Sequence, residues 1–73
     1  MKSEKIKYKD QELEIFFFSN PMFHKDWHEA EDAGLVYVWY SHHGPDYWDD
    51  ELVFAKKEQK ELVEQYYKDS MWW

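Results

Sequence analysis

Two histidine pairs offer the most explicit chemistry in this sequence. His24 and His28 stand four residues apart, a spacing that on a helix brings two imidazoles to one metal ion. His42 and His43 follow later, with Asp46 close by. Together the pairs could enclose Zn²⁺ only if the segment around Asp46 folds back onto the helix. The plainer alternative is four polar surface and loop residues. The lack of Cys and of an H-E-x-x-H pattern favours it, so neither metal nor cofactor is expected.

Catalytic equipment is sparse. There is no thiol, the four Ser have no nucleophile-elbow context, and two Gly cannot build a phosphate-cradling loop. The neighbours Asp49 and Asp50 could share acid and base roles, but with 16 acids in the chain such adjacency selects nothing. A 73-residue chain also has difficulty enclosing a water-excluding pocket of about 300 Å³ or more. A protein that is not an enzyme is expected.

A more informative constellation interleaves acids with aromatics. Residues Asp26, Trp27, Glu29, Glu31 and Asp32 form one cluster, and Asp46, Tyr47, Trp48, Asp49, Asp50 and Glu51 form another. Tyr and Trp are enriched at interface hot spots, and surrounding carboxylates would meet Lys and Arg of a partner. An indole face can also hold a cation directly. The competing reading makes Trp27 and Trp48 core anchors and the acids their solvated neighbours. The closing Met71-Trp72-Trp73 reads as a clamp on the core or a dimer contact; a net charge of −7 opposes anchoring on anionic lipid.

The charge is unevenly placed. Between Asp10 and Glu51 there are eleven acids and only Lys25, whereas residues 1–9 carry four Lys against Glu4 and residues 52–73 balance four Lys against four acids. Arg is absent, and the backbone phosphates of nucleic acid demand clustered positive charge, so direct nucleic-acid binding is not expected. The acidity reads either as a solubility device or as a face for a basic partner. The second reading makes the chain a nucleic-acid mimic that occludes the basic site of a nucleic-acid-binding protein or nuclease. In size and charge the chain resembles the small acidic inhibitors that phages deploy against host nucleases and defence systems, anti-CRISPR proteins included; no motif carries that likeness. Absence of Cys and of a secretory leader, with an early apolar run (Ile15–Phe18) far too short to span a bilayer, suggests a cytoplasmic protein with no membrane contact. A homodimer seam built from surplus aromatics is the structural alternative.

These residues must be positioned by a single domain, since two would not fit in 73 residues. Apolar alternation in 5–8 and 13–17 predicts a β-hairpin closed at Asp10-Gln11, with Tyr8 opposite Leu13, Ile6 opposite Ile15, Lys9 opposite Glu12 and Lys7 opposite Glu14. Asn20, Pro21 and Gly34 suit the cap, first turn and stop of a short helix with Phe23, Trp27 and Ala30 on its apolar stripe. Leu35–Tyr40, apolar on both faces, reads as a central strand with Leu35, Tyr37 and Trp39 pointing one way. Residues 51–55 read as a fourth strand, with a long helix from Asp49 or Asp50 as the alternative, and a helix follows from about Lys57 to Met71. On it Leu62, Val63, Tyr66, Tyr67 and Ser70 share a face, and Glu64 pairs with Lys68. The expected fold is α+β: a small antiparallel sheet of three or four strands packed on a C-terminal helix.

Overall fold

The computed structural model describes residues 2–19, 21–41 and 50–71, the side chain of Met71 excepted. Its elements are β1 (Lys2–Tyr8), β2 (Gln11–Ser19), α1 (His24–Asp32), β3 (Leu35–Ser41), β4 (Glu51–Lys56), a 3₁₀ turn (Lys57–Gln59) and α2 (Lys60–Met71). The strands form one sheet in the order β1-β2-β4-β3, every neighbouring pair antiparallel. β2 and β3 therefore run parallel, joined through α1, with β4 inserted between them. A parallel pair needs such a crossover, and the crossover places α1 against a face of the sheet. The expected α+β architecture is observed, and residues 51–55 are strand.

The hairpin differs in register. Lys9 and Asp10 form the two-residue turn, both with positive φ (51° and 62°). Such angles match the primed turns whose twist suits paired strands, although Gly or Asn is the usual occupant. Ile6 consequently faces Leu13, Lys7 faces Glu12 and Lys5 faces Glu14. This is two residues away from the expected pairing, and a slip of two leaves every side chain on its expected face. Glu12 and Glu14 still meet lysines: Lys5 Nζ lies 4.0 Å from Glu12, and Lys56 of β4 lies 3.7 Å from Glu14. Where β4 ends, the Gln59 side-chain amide continues its pairing, donating to the Glu12 carbonyl (3.1 Å) and accepting from the Glu14 amide (3.2 Å). A primary amide carries both a donor and an acceptor, so it can stand in for a peptide group.

The two sheet faces bury separate clusters because side chains alternate along a strand. Leu13, Ile15, Val53 and Ala55 face α2, whose Val63 is fully buried among them. Phe16, Phe18, Leu35 and Phe54 face α1, which contributes Ala30. On α2, Leu62, Tyr66 and Tyr67 join Val63 in that packing, Ser70 is exposed, and the Lys68–Glu64 pair closes at 3.0 Å. Ring contacts run across the α2 face from β1 to β3: Tyr8 to Tyr66 (5.6 Å), Tyr66 to Tyr67 (5.3 Å) and Tyr67 stacked on Trp39 (6.1 Å, 18°). Such pairs contribute about 0.5–1.5 kcal/mol each beyond area burial, which suits a chain without disulfides.

β3 departs from its expected place twice. It is an edge strand, apolar on both sides because a helix covers each face. A bulge between Tyr37 and Trp39 shifts the pairing, so Tyr37 opposes Phe54 while Trp39 opposes Val53. The extra residue in a bulge reverses facing for the rest of the strand. Trp39 therefore lies on the α2 side, opposite to Tyr37, and Tyr40, opposite Leu52, lies on the α1 side.

Tyrosine protonation is tied to this packing. Tyr8 donates a hydrogen bond to Asp69, which pushes its phenol up to about 12 and, with a second bond from Gln65, lowers the Asp69 carboxyl. Burial beside Tyr66 pushes Tyr67 to about 12 as well. A folded-state value above the unfolded one of about 10 means that the contribution to stability is complete below about pH 10. It is lost as the pH rises toward about 12. In an ultraviolet titration, Tyr8 and Tyr67 are expected to ionise late, together with unfolding. Ionisation of all six tyrosines near pH 10 in a chain that stays folded would contradict the packing. Among the described residues, no helix is long and apolar enough to cross a membrane.

Candidate functional site

Helix α1 begins later than the sequence signals suggest. Pro21 lies in a bend ahead of it, Asn20 lies outside the described residues, and Phe23 occupies the cap position. A Phe side chain cannot accept a hydrogen bond, so the capping comes from the third helical residue. Asp26 reaches back to accept from the Phe23 amide at 3.0 Å, the half of a capping box that needs only a carboxylate. The helix stops as expected at Gly34, with φ +72°. Its last turn contains Glu29, Glu31 and Asp32 and no basic residue. That is the negative end of the helix dipole, where each exposed carboxylate costs about 0.3–1 kcal/mol.

The stripe Phe23, Trp27, Ala30 is too narrow to cover its side of the sheet. Ala30 is buried, but Phe23 is 63% and Trp27 49% exposed. Tyr37 and Tyr40 on β3 are also exposed (46% and 41%), so among the described residues the four exposed large apolar side chains lie on the α1 side. Two of them, Trp27 and Tyr37, are ordered around one buried ring. Phe54 meets Trp27 edge-on at 5.7 Å, Tyr37 at 5.8 Å and Phe18 at 5.0 Å. Trp27 and Tyr37 thereby wall a groove of about 480 Å³ with Phe54 in its lining, with Glu31 and Gly34 on the α1 side and Lys57 beyond.

The expected acidic set divides on this frame. Glu29, Glu31 and Asp32 are exposed on α1; Glu31 lines this groove, whereas Glu29 and Asp32 face the side of His24 and His28. Asp26 is half-buried and committed to the cap. Asp50 is a correction: it is 2% exposed and accepts a hydrogen bond from the Tyr40 hydroxyl at 2.6 Å, so it cannot present a phosphate-like charge. That bond, reinforced by burial, raises the Tyr40 phenol above its ordinary value. Glu51 is half-buried at the start of β4. Asp46, Tyr47, Trp48 and Asp49 lie outside the described residues, as do His42, His43, Trp72 and Trp73. Among the described residues the second cluster therefore contributes only half-buried Glu51, and the first contributes Trp27 and its helix end.

Tyr37 is the functional candidate that sequence reasoning missed. It reads as core in a central strand. The available signal is the stripe on α1, whose one small buried residue and one Trp cannot roof Phe16, Phe18, Leu35 and Tyr37 together.

The α1 histidines come together, their Nε2 atoms 2.9 Å apart. Among the described residues, no group of three or more His, Cys, Asp or Glu is arranged to hold a metal ion. No protein family, characterised protein or solved structure matches the chain.

Proposed function

We propose that this chain is a non-enzymatic interaction protein whose α1 face seats on a basic site of a protein partner, occluding it sterically and electrostatically. One observation carries the reading: half-exposed Trp27 and Tyr37 lean on the buried Phe54 ring, beside a helix end that keeps Glu29, Glu31 and Asp32 against its own dipole. Rigid aromatic walls supply contact area with little conformational entropy to lose, and the carboxylates supply attraction and register. A partner rich in Lys and Arg is the complement, and a nucleic-acid-binding protein or nuclease offers such a site. The carboxylates would then occupy the places of phosphates. A chain with no Cys suits a reducing compartment such as the cytoplasm.

The test is capture from a cell lysate with the tagged full chain, at low and moderate salt, repeated with Trp27→Ala. A basic protein is expected to co-purify and to be released as salt shortens the Debye length toward about 10 Å. Trp27→Ala should retain at least tenfold less of it. Capture indifferent to salt, or equal capture by the variant, overturns the reading. A second reading, self-association, is favoured by one feature: β3 is an edge strand without a charged residue, a ready template for another strand. Sedimentation of the same preparation decides it, since a monomer at every concentration removes it.

A further inference from the structure

His24 and His28 lie one turn apart on the exposed surface of α1, away from the groove. Their Nε2 atoms are 2.9 Å apart and their rings cross at 85°. An N–H···N bond at that distance has one ring donating and the other offering its lone pair, so two imidazole nitrogens already converge. We propose that this pair chelates a divalent transition-metal ion of tetragonal preference, Cu²⁺ first and Ni²⁺ next. The proposal does not rest on the partner-binding reading, although Glu29 and Asp32 border both surfaces.

The spacing carries the argument. Imidazole nitrogens bind such ions at about 2.0–2.1 Å, so two nitrogens at right angles about one ion are about 2.9 Å apart. Tetrahedral angles would hold them about 3.3–3.4 Å apart. The observed 2.9 Å is the length of the N–H···N bond, so it places both nitrogens within reach of one ion, and rotation of the exposed rings sets the final angle. Cu²⁺ stands highest in intrinsic affinity for nitrogen ligands. For both lone pairs to serve, the proton on the donating Nε2 passes through water to Nδ1 of the same ring. The rings then turn to aim at the ion. Both side chains are exposed, so no packed neighbour opposes that rotation.

The surroundings suit a partly hydrated ion. The open groove beside the pair, about 900 Å³, is lined also by Lys25, Glu29, Asp32 and Ala33. Asp32 is one further turn along the same row as His28, so a carboxylate stands on the same side of the helix as the pair. Among the described residues no third protein ligand completes the set, leaving the other corners to water or to an added donor.

The experiment uses the full chain carrying His42→Asn and His43→Asn, so that the α1 pair is the remaining histidine site. Calorimetric titration with CuCl₂, NiCl₂ and ZnCl₂ at neutral pH is expected to give one Cu²⁺ per chain, bound at least tenfold more tightly than Zn²⁺. Either His24→Asn or His28→Asn in that background should lower Cu²⁺ affinity at least tenfold while leaving the circular dichroism unchanged. Electron paramagnetic resonance of the Cu²⁺ form, which needs no further variant, should show coupling to two imidazole nitrogens. Equal Cu²⁺ affinity after either substitution, coupling to fewer than two nitrogens, or tighter Zn²⁺ than Cu²⁺ overturns the proposal.

Discussion

Phe54→Ala is expected to remove about half of the chain's folding free energy at 25 °C. Phe54 is 2% exposed on β4, paired with Phe16 of β2 on one side and Tyr37 of β3 on the other. Its ring is the common neighbour of Phe18, Trp27 and Tyr37. Truncating a buried Phe to Ala costs about 3–5 kcal/mol, because the cavity adds to the lost transfer energy. At about 0.05–0.15 kcal/mol per residue, a domain of this length has only about 4–11 kcal/mol in all. At the middle of both ranges the loss is therefore about half of the margin. Phe54→Leu conserves much of the volume and should cost about 1.5 kcal/mol, leaving a folded chain whose Trp27 has lost its ring contact. Urea denaturation followed by circular dichroism reads both. A Phe54→Ala midpoint close to the parent's would mean that α1 and β3 do not rest on this ring.

The same ring explains why the sequence disclosed the elements better than the site. Period-two alternation assigned Leu13 and Ile15 to one face and the charged residues to the other, and those faces hold although the register moved by two. Facing depends on parity, and a hydrophobic pattern is blind to an even slip. The turn could not correct it, because Lys9 and Asp10 adopt positive φ without Gly. Strand order is invisible to hydropathy for a related reason. β3 looks central since both its faces are apolar, but it owes this to α1 above and α2 below rather than to strands on both edges. The bulge then turns Trp39 toward Tyr67, a reversal that no local residue type announces.

Site residues were legible only where charges crowd against their own helix dipole. In the run Asp49-Asp50-Glu51 nothing local says which acid turns inward; the reason lies ten residues away in the Tyr40 hydroxyl. Asp26 and Trp27 are adjacent in sequence, yet one is a helix cap and the other an exposed anchor. The crowding of Glu29, Glu31 and Asp32 at the wrong end of a helix, by contrast, could be read directly once Gly34 fixed where the helix stops.

That crowding gives the second large effect, in which stability and binding move in opposite directions. Glu31→Lys combined with Asp32→Lys should raise the melting temperature and abolish most partner capture. At the C-terminal end of α1 each reversal removes a cost of about 0.3–1 kcal/mol and introduces a favourable charge. For a domain of this size each kcal/mol gained is worth roughly 4–8 °C. Each reversal changes the net charge by two, so the pair takes it from −7 to −3. Attraction to a basic partner, and with it the association rate at low salt, should fall at least tenfold.

Glu61→Lys combined with Glu64→Lys makes the same change of net charge on α2. Glu61 sits in that helix's first turn, where a carboxylate is favourable, and Glu64 holds Lys68 at 3.0 Å, so this pair should lower the melting temperature. Its capture should fall only by the change in overall field. Thermal melts and salt-dependent capture of both double variants separate a local contact from bulk charge. Equal loss of capture by the two would place the contact elsewhere than α1. An α1 variant that is no more stable than its parent would remove the dipole argument on which the functional reading of that helix end rests.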